Sequence, residues 1–198
     1  MPVTPDNLRL LPGDTLWFCG RGFASRAIGL WTASVPQLLC GRLISHVGIV
    51  YDDGCKIRHC ESTTLNDQAT DERRRAIRGV QVNDPWQRIE GYSGRVYLGR
   101  FPERGRLTRR QSLKLAEYLG MMGTTSYDMF GALLAGTTWI KRIFAPDATS
   151  LFCSELVAMA LMDCDVLPRT FNASTATPAW LARHLVSVGI CEPLRRVK

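Results

Sequence analysis

The interpretation of this chain depends on one stretch, Ser150-Leu-Phe-Cys-Ser-Glu-Leu-Val-Ala-Met-Ala160. Its apolar residues recur at the spacing of a helix, at Phe152, Leu156, Val157, Ala160 and Leu161. Thr149 and Ser150 are residue types that cap helix N-termini, so the sequence predicts a helix with Cys153 in its first turn. At that position the helix dipole and the backbone N–H groups stabilise a thiolate and offer donors to an oxyanion.

A single cysteine on an apolar helix is ordinarily a small buried core residue. A nucleophilic cysteine also needs a base, and the histidine is the usual one. The chain has only His46, His59 and His184 to supply it. His184 follows Pro178 on a predicted late helix and is expected at the surface. The early histidines are therefore the candidates for a base beside Cys153.

The sequence predicts a strand over Ile44-Ser-His-Val-Gly-Ile-Val-Tyr51, and the Asp52-Asp-Gly54 turn after it predicts a hairpin. Side chains alternate along a strand, so His46, Gly48 and Val50 share one face and Ser45, Val47, Ile49 and Tyr51 share the other. The glycine leaves space beside the imidazole of His46. A helix start packed on that face would bring Cys153 within reach of the base.

The returning strand of the hairpin, Lys56 to Ser62, carries two groups able to orient the imidazole of His46. His59 and Glu61 are two residues apart and therefore share a face. Glu61 would hold an imidazolium by a charge-assisted hydrogen bond, whereas His59 would act only as a neutral acceptor. Glu61 is therefore the preferred third member of the site.

The remaining pattern predicts an α+β fold with a mostly antiparallel sheet packed against helices. Strands are expected at 15–19, 79–82 and 94–100, helices at 108–122, 150–164 and 178–186, and an edge strand at 188–191. The chain of 198 residues is 45% hydrophobic and 22% charged, which suits one domain spanning 1–198. Residues 20–43 form a long apolar segment between the first strand and His46.

Composition narrows the functional class. Cysteines number 7, an odd count without a CxxC pair, which disfavours a complete disulfide framework and a zinc ribbon. Cys55, His59 and Cys60 alternate along a strand and cannot all converge on a metal. No metal and no cofactor is expected. The net charge of +7 is spread over short arginine runs without a nucleic-acid motif. A solvated, arginine-rich surface is the preferred interpretation. An anionic lipid or polymer surface is the alternative partner, and nucleic acid is not expected.

Several motifs together resemble the circularly permuted branch of the NlpC/P60 papain-like superfamily, and most closely the YiiX/YaeF-like bacterial group, with lecithin:retinol acyltransferase-type enzymes as distant relatives. The motifs are Gly13-Asp14, Ser45-His46-Val-Gly-Ile49, Glu61-Ser62, Gly79-Val-Gln-Val82, Tyr92-Ser-Gly94 with Val96 to Arg100, Tyr127-Asp128 and Phe152-Cys-Ser-Glu-Leu-Val157. They extend from about residue 11 to 182. The histidine precedes the cysteine, as the permuted order requires.

By this resemblance Cys153 is the nucleophile, His46 the base and Glu61 the orienting residue, and Tyr127 lines the substrate site. The resemblance implies a cysteine hydrolase that cleaves amide bonds, in a peptide, a peptidoglycan fragment or an acyl-amide, through an acyl-enzyme. The segment 20–43 departs from the family pattern and leaves open a thiol acyltransferase or lipid-directed enzyme on the same triad. A non-catalytic binding module that keeps the fold is the third hypothesis.

Targeting signals are not evident in the sequence. No stretch of eighteen or more apolar residues predicts a membrane span, and residues 1–10 lack the basic and apolar regions of a secretory signal. The sequence therefore predicts a cytoplasmic protein without a transmembrane segment. A phage-borne protein or one exported by a specialised system would show the same pattern.

Overall fold

The computed structural model describes residues 8–22, 43–63, 79–123 and 148–198. These residues form an α+β fold, as the sequence predicts, with six strands and four α-helices. The strands are β1 (Thr15–Cys19), β2 (His46–Asp52), β3 (Ile57–Thr63), β4 (Gly79–Asn83), β5 (Arg95–Gly99) and β6 (Arg195–Arg196). The helices are α1 (Pro85–Gly91), α2 (Arg109–Gly123), α3 (Ala148–Asp163) and α4 (Pro178–Ser187).

The strands form one sheet in the order β4-β3-β2-β1-β5-β6, and every neighbouring pair is antiparallel. The predicted hairpin is confirmed: β2 and β3 pair, and Gly54 in their turn has a φ of 90°. Glycine reaches this left-handed region without the steric cost that a Cβ brings. In the resulting register Gly48 lies opposite Glu61 on one side and opposite Leu16 on the other.

The two faces of the sheet carry separate apolar clusters, and the alternation predicted along β2 is confirmed. Val47, Ile49 and Tyr51 belong to the larger cluster, together with the apolar side chains of α3. Val50 belongs to the smaller cluster, which includes Phe18 and residues of α1. The helix that carries Cys153 therefore packs against the Val47 face. The expectation that it packs against the His46 face is wrong.

Local capping chemistry explains where three of the four described helices, α1, α2 and α4, begin. Thr108 precedes α2 as predicted: its backbone N–H donates to the side-chain oxygen of Gln111, and its hydroxyl oxygen accepts from the backbone N–H of Gln111. Thr177 accepts a hydrogen bond from the N–H of Trp180 at the start of α4. Helix α1 was not predicted, although its start is a recognisable one: Asp84 accepts from two N–H groups and Pro85 occupies the first helical position.

The predicted edge strand at 188–191 is wrong, because the backbone there completes the end of α4. The N–H groups of Val188, Gly189 and Cys191 bond to the carbonyls of His184, Val186 and Leu185 at 3.0, 3.1 and 2.9 Å. N–H groups used in this way are not available to a strand ladder. The edge strand instead forms later, where β6 pairs with β5.

Within the described residues, no helix has both the length and the apolarity needed to cross a membrane. Most of the predicted apolar segment at 20–43 lies outside the described residues.

Candidate active site

His46 and Glu61 are in direct contact. His46 is the first residue of β2, and Glu61 lies opposite Gly48 on β3, so the two side chains are diagonal neighbours on one face of the sheet. Nε2 of His46 is 2.8 Å from Oε2 of Glu61, and the Glu61 side chain is 1% exposed. A carboxylate at this distance fixes the orientation of the imidazole and stabilises its charged form.

The other oxygen of Glu61 is held from behind. Oε1 accepts a hydrogen bond of 2.7 Å from Nε of Arg88 and one of 2.9 Å from Nδ2 of Asn83. Burial raises the pKa of Glu61, but the hydrogen bond from His46 and the positive charge of Arg88 outweigh it, so the pKa lies well below its usual value. Glu61 is therefore a carboxylate throughout the neutral range.

Cys153 interacts with the same imidazole. Burial lowers the pKa of His46, but the negative charge of an ionised Cys153, a hydrogen bond to that sulfur and the contact with Glu61 raise it to about 9. Nε2 is the ring atom that contacts Glu61. Cys153 is fully buried and the His46 side chain is 16% exposed. Solvent therefore reaches this pair on the imidazole side.

These contacts join two faces of the sheet. Cys153 belongs to the cluster on the α3 side, whereas Phe18, which packs beside His46 with ring centroids 5.5 Å apart, belongs to the opposite cluster. His46 is the first residue of β2, so its interaction with Cys153 lies at one end of that strand.

The position of Cys153 within its helix differs from the prediction. Helix α3 begins at Ala148, so Thr149 and Ser150 lie inside it and Cys153 is in the second turn, as its sixth residue. Ala148 is a strong helix former and extends the helix upstream of the expected cap. Only the first four N–H groups of a helix lack a partner within it. The backbone N–H of Cys153 is therefore not one of the free N–H groups at the helix start, and the predicted first-turn position of Cys153 as an oxyanion donor is wrong.

His59, the other candidate for orienting the base, has a different environment. Within the described part of the chain, neither of its ring nitrogens has a hydrogen-bond partner. Its ring fills the space over Gly48, which the sequence analysis had assigned to His46. Burial, opposed by the charge of Glu61 and aided by that of Arg88, lowers the pKa of His59 to about 4. His59 is therefore a neutral core residue at neutral pH.

The structure also separates the residues weighed as metal ligands. Cys60 packs in the cluster beneath α3, His59 lies on the opposite face, and Cys55 is exposed beside the hairpin turn. No group of three or more ligand side chains occurs among the residues that the structure describes.

Sequence reasoning did not find two residues of the site, Asn83 and Arg88. Asp84-Pro85 is a recognisable helix start and would have placed Arg88 about one turn into a helix. Nothing in the sequence indicates that this turn faces Glu61. Tyr127, which the resemblance placed at the substrate site, lies outside the described residues.

Comparison of the chain with protein-family models found no match, and a search of curated proteins found no significant match. The resemblance described above therefore rests on the quoted motifs alone.

Proposed function

We propose that this protein is a cysteine hydrolase of the permuted NlpC/P60 papain-like type, with Cys153 as nucleophile, His46 as base and Glu61 as orienting residue. The observation that carries the proposal is the hydrogen bond of 2.8 Å between His46 and Glu61. The same imidazole interacts with Cys153. Cys153 would be the nucleophile, His46 the base, and the Glu61 carboxylate the group that orients the base; together they form a catalytic triad for acyl transfer through a thiol.

The protonation of His46 suits this chemistry. A pKa of about 9 keeps the imidazole charged at neutral pH, and an imidazolium beside a cysteine stabilises the thiolate that reacts. In the proposed first step the Cys153 thiolate attacks the carbonyl carbon of an amide. The C–N bond then breaks as His46 gives its proton to the leaving amine. A thioester remains on Cys153.

In the proposed second step the neutral His46 removes a proton from water, which attacks the thioester carbonyl. The C–S bond breaks, the acid product leaves, and the thiolate and imidazolium are restored. Glu61 stabilises the imidazolium in both steps and is not itself protonated. The proposed substrates are peptides, peptidoglycan peptides and acyl-amides, which share the bond that this cycle cleaves.

The test is to locate the reactive thiol. The full chain is treated with an electrophilic acyl probe near pH 6, where ordinary thiols are protonated and slow, and the adduct is mapped by mass spectrometry. We expect it on Cys153. We also expect hydrolysis of a panel of peptidoglycan peptides and acyl-amides to be lost in Cys153→Ala and retained in Cys164→Ala, which removes another fully buried thiol of the same core.

Two results would contradict the proposal. Hydrolysis that survives Cys153→Ala would show that another group is the nucleophile. A Cys153 that stays unlabelled while the exposed Cys55 reacts would favour the binding-module hypothesis.

A further inference from the structure

Arg88 is a buried cation that contacts Glu61, Phe18 and Tyr92 at the proposed site. Its side chain is 5% exposed, and Nε lies 2.7 Å from Oε1 of Glu61. Its guanidinium carbon lies 4.8 Å from the ring centre of Phe18 and 5.2 Å from that of Tyr92. Cations at such distances from aromatic faces are attracted by the rings. The guanidinium is therefore held both by its charge and by its planar faces.

We propose that Arg88 is a positioning residue for His46: it fixes one oxygen of Glu61 so that the other oxygen stays directed at the imidazole. This inference rests on the proposed function for its catalytic consequence, although the positioning itself concerns only Arg88, Glu61 and His46.

The geometry explains why such a residue is needed. The terminal torsion of a glutamate is broad, so one hydrogen bond from His46 would not fix the plane of the carboxylate. Arg88 and Asn83 both donate to Oε1, which removes that freedom and leaves Oε2 for His46. Phe18 packs against Arg88 and against the His46 ring, so one aromatic side chain braces both ends of the arrangement.

The charges alternate along this row. The His46 imidazolium, the Glu61 carboxylate and the Arg88 guanidinium follow one another, so the carboxylate lies between two positive charges. Without Arg88, the Glu61 carboxylate would have His46 as its only charged partner in the row and would hold the imidazole proton more tightly. Arg88 thus both orients Glu61 and limits the basicity that Glu61 confers on His46.

The charge relationship among Arg88, Glu61 and His46 is tested by NMR titration of the His46 ring in full-length chains that carry Cys153→Ala. This substitution removes the thiol, so His46 titrates without coupling to a second group of the pair, and the result does not depend on turnover. Relative to this parent, we expect Arg88→Met to raise the pKa of His46 by on the order of one unit. Arg88→Lys, which keeps the charge, should leave it near the parent value. An unchanged titration in a folded Arg88→Met chain would overturn the inference.

A second variant keeps the test decisive if Arg88→Met does not fold. Asn83→Leu removes the amide donor to the same oxygen without changing the charge. A less stabilised carboxylate holds the imidazole proton more tightly, so His46 should titrate at higher pH, by less than in Arg88→Met. An unchanged titration here would likewise overturn the inference.

Turnover separates this inference from the proposed function. With Cys153 present, Arg88→Met should lower kcat by about 10- to 100-fold, as misplaced catalytic groups do, with KM little changed and partial recovery in Arg88→Lys. A wild-type kcat in Arg88→Met would overturn the catalytic role of the positioning. If the unmodified chain cleaves none of the substrates while the titration shifts as expected, the proposed function fails and the electrostatic coupling of Arg88 to His46 through Glu61 stands.

Discussion

The imidazole of His59 occupies the space that a side chain on Gly48 would need. A Cβ built on Gly48 overlaps Nε2 of His59 and lies 2.6 Å from its Cε1 and 2.8 Å from the carbonyl oxygen of Cys60. Gly48 lies opposite Glu61 in the hairpin. The absence of a side chain at Gly48 thus allows the β2–β3 pair to hold a buried histidine directly beside the carboxylate of the proposed site.

Gly48→Ala is expected to destabilise the protein by about 3 kcal/mol, because neither the buried ring nor the Cys60 carbonyl can move away cheaply. The measurement is the free energy of unfolding in urea. Gly120→Ala is the matched control: it lies in α2 with nothing within 4 Å of the added Cβ. In this control the free energy of unfolding should rise by up to about 1 kcal/mol, because alanine favours a helix more than glycine does. Equal effects of the two substitutions would refute the steric argument.

His59 is expected to make the protein sensitive to mild acid. Its pKa is lowered to about 4 in the fold by burial and is about 6.5 when unfolded. A group with a lowered pKa contributes stability above its unfolded pKa and loses it as the pH falls through the folded value. The charged groups that act on it are Glu61, which favours its protonation, and Arg88 and His46, which oppose it.

The measurement is the free energy of unfolding of the wild type and of His59→Phe between pH 6.5 and 4.5. The wild type should lose about 2 to 3 kcal/mol more than the variant over this interval. Glu61 contributes to the loss only at lower pH, because its ordinary pKa is about 4.3. Parallel stability curves for the two proteins would show that His59 is not held neutral.

Glu61→Gln is expected to lower the pKa of His46 and the activity of the site. The raised pKa of about 9 depends on Cys153 and, after it, on Glu61, and a neutral amide attracts an imidazolium less strongly. The stability that His46 contributes is present below pH 6.5 and is lost as the pH rises through about 9. In Glu61→Gln this contribution to stability should be lost at a lower pH than in the wild type. The rate of hydrolysis should fall by about 100-fold or more.

The measurement is the rate of hydrolysis and of Cys153 alkylation against pH, together with alkaline unfolding. Asp53→Asn is the control, because this carboxylate pairs with Arg58 in the hairpin turn, away from the site. In Asp53→Asn, the fall in rate and in stability at alkaline pH should occur at the same pH as in the wild type. If Glu61→Gln also leaves that pH unchanged, Glu61 does not set the charge of His46.

Asp84→Ala should disturb the site through α1. Asp84 accepts from the N–H groups of Trp86 and Gln87 at 3.0 and 2.9 Å, and the helix that it caps carries Arg88. Loss of a cap costs about 1 kcal/mol. Thr177→Ala removes the cap of α4 and should cost a similar amount. Only Asp84→Ala should also shift the NMR titration of His46. Identical titrations in the two variants would show that the start of α1 does not affect His46.

Much of the local structure could be predicted. The hairpin at Asp52-Asp-Gly54, the alternation of His46 and Val47 between two faces, and the helix after Thr108 all follow from interactions between residues a few positions apart. The start of α3 could not be predicted in this way, because Thr149 and Ser150 are ordinary capping residues that the structure places inside the helix. The end of α4 was mistaken for a strand because apolar residues 188–191 also suit a helix terminus.

The sequence by itself determined the α+β class, the β2–β3 hairpin and the sharing of one face by His46, His59 and Glu61, because backbone periodicity and turn chemistry act over short separations. Only the tertiary structure decided that Glu61 contacts His46 while His59 fills the space over Gly48, that α3 packs on the Val47 face, and that Arg88 stands behind the carboxylate. These outcomes depend on which side chains fit together across strands and helices far apart in the chain, and packing of that kind leaves no local pattern.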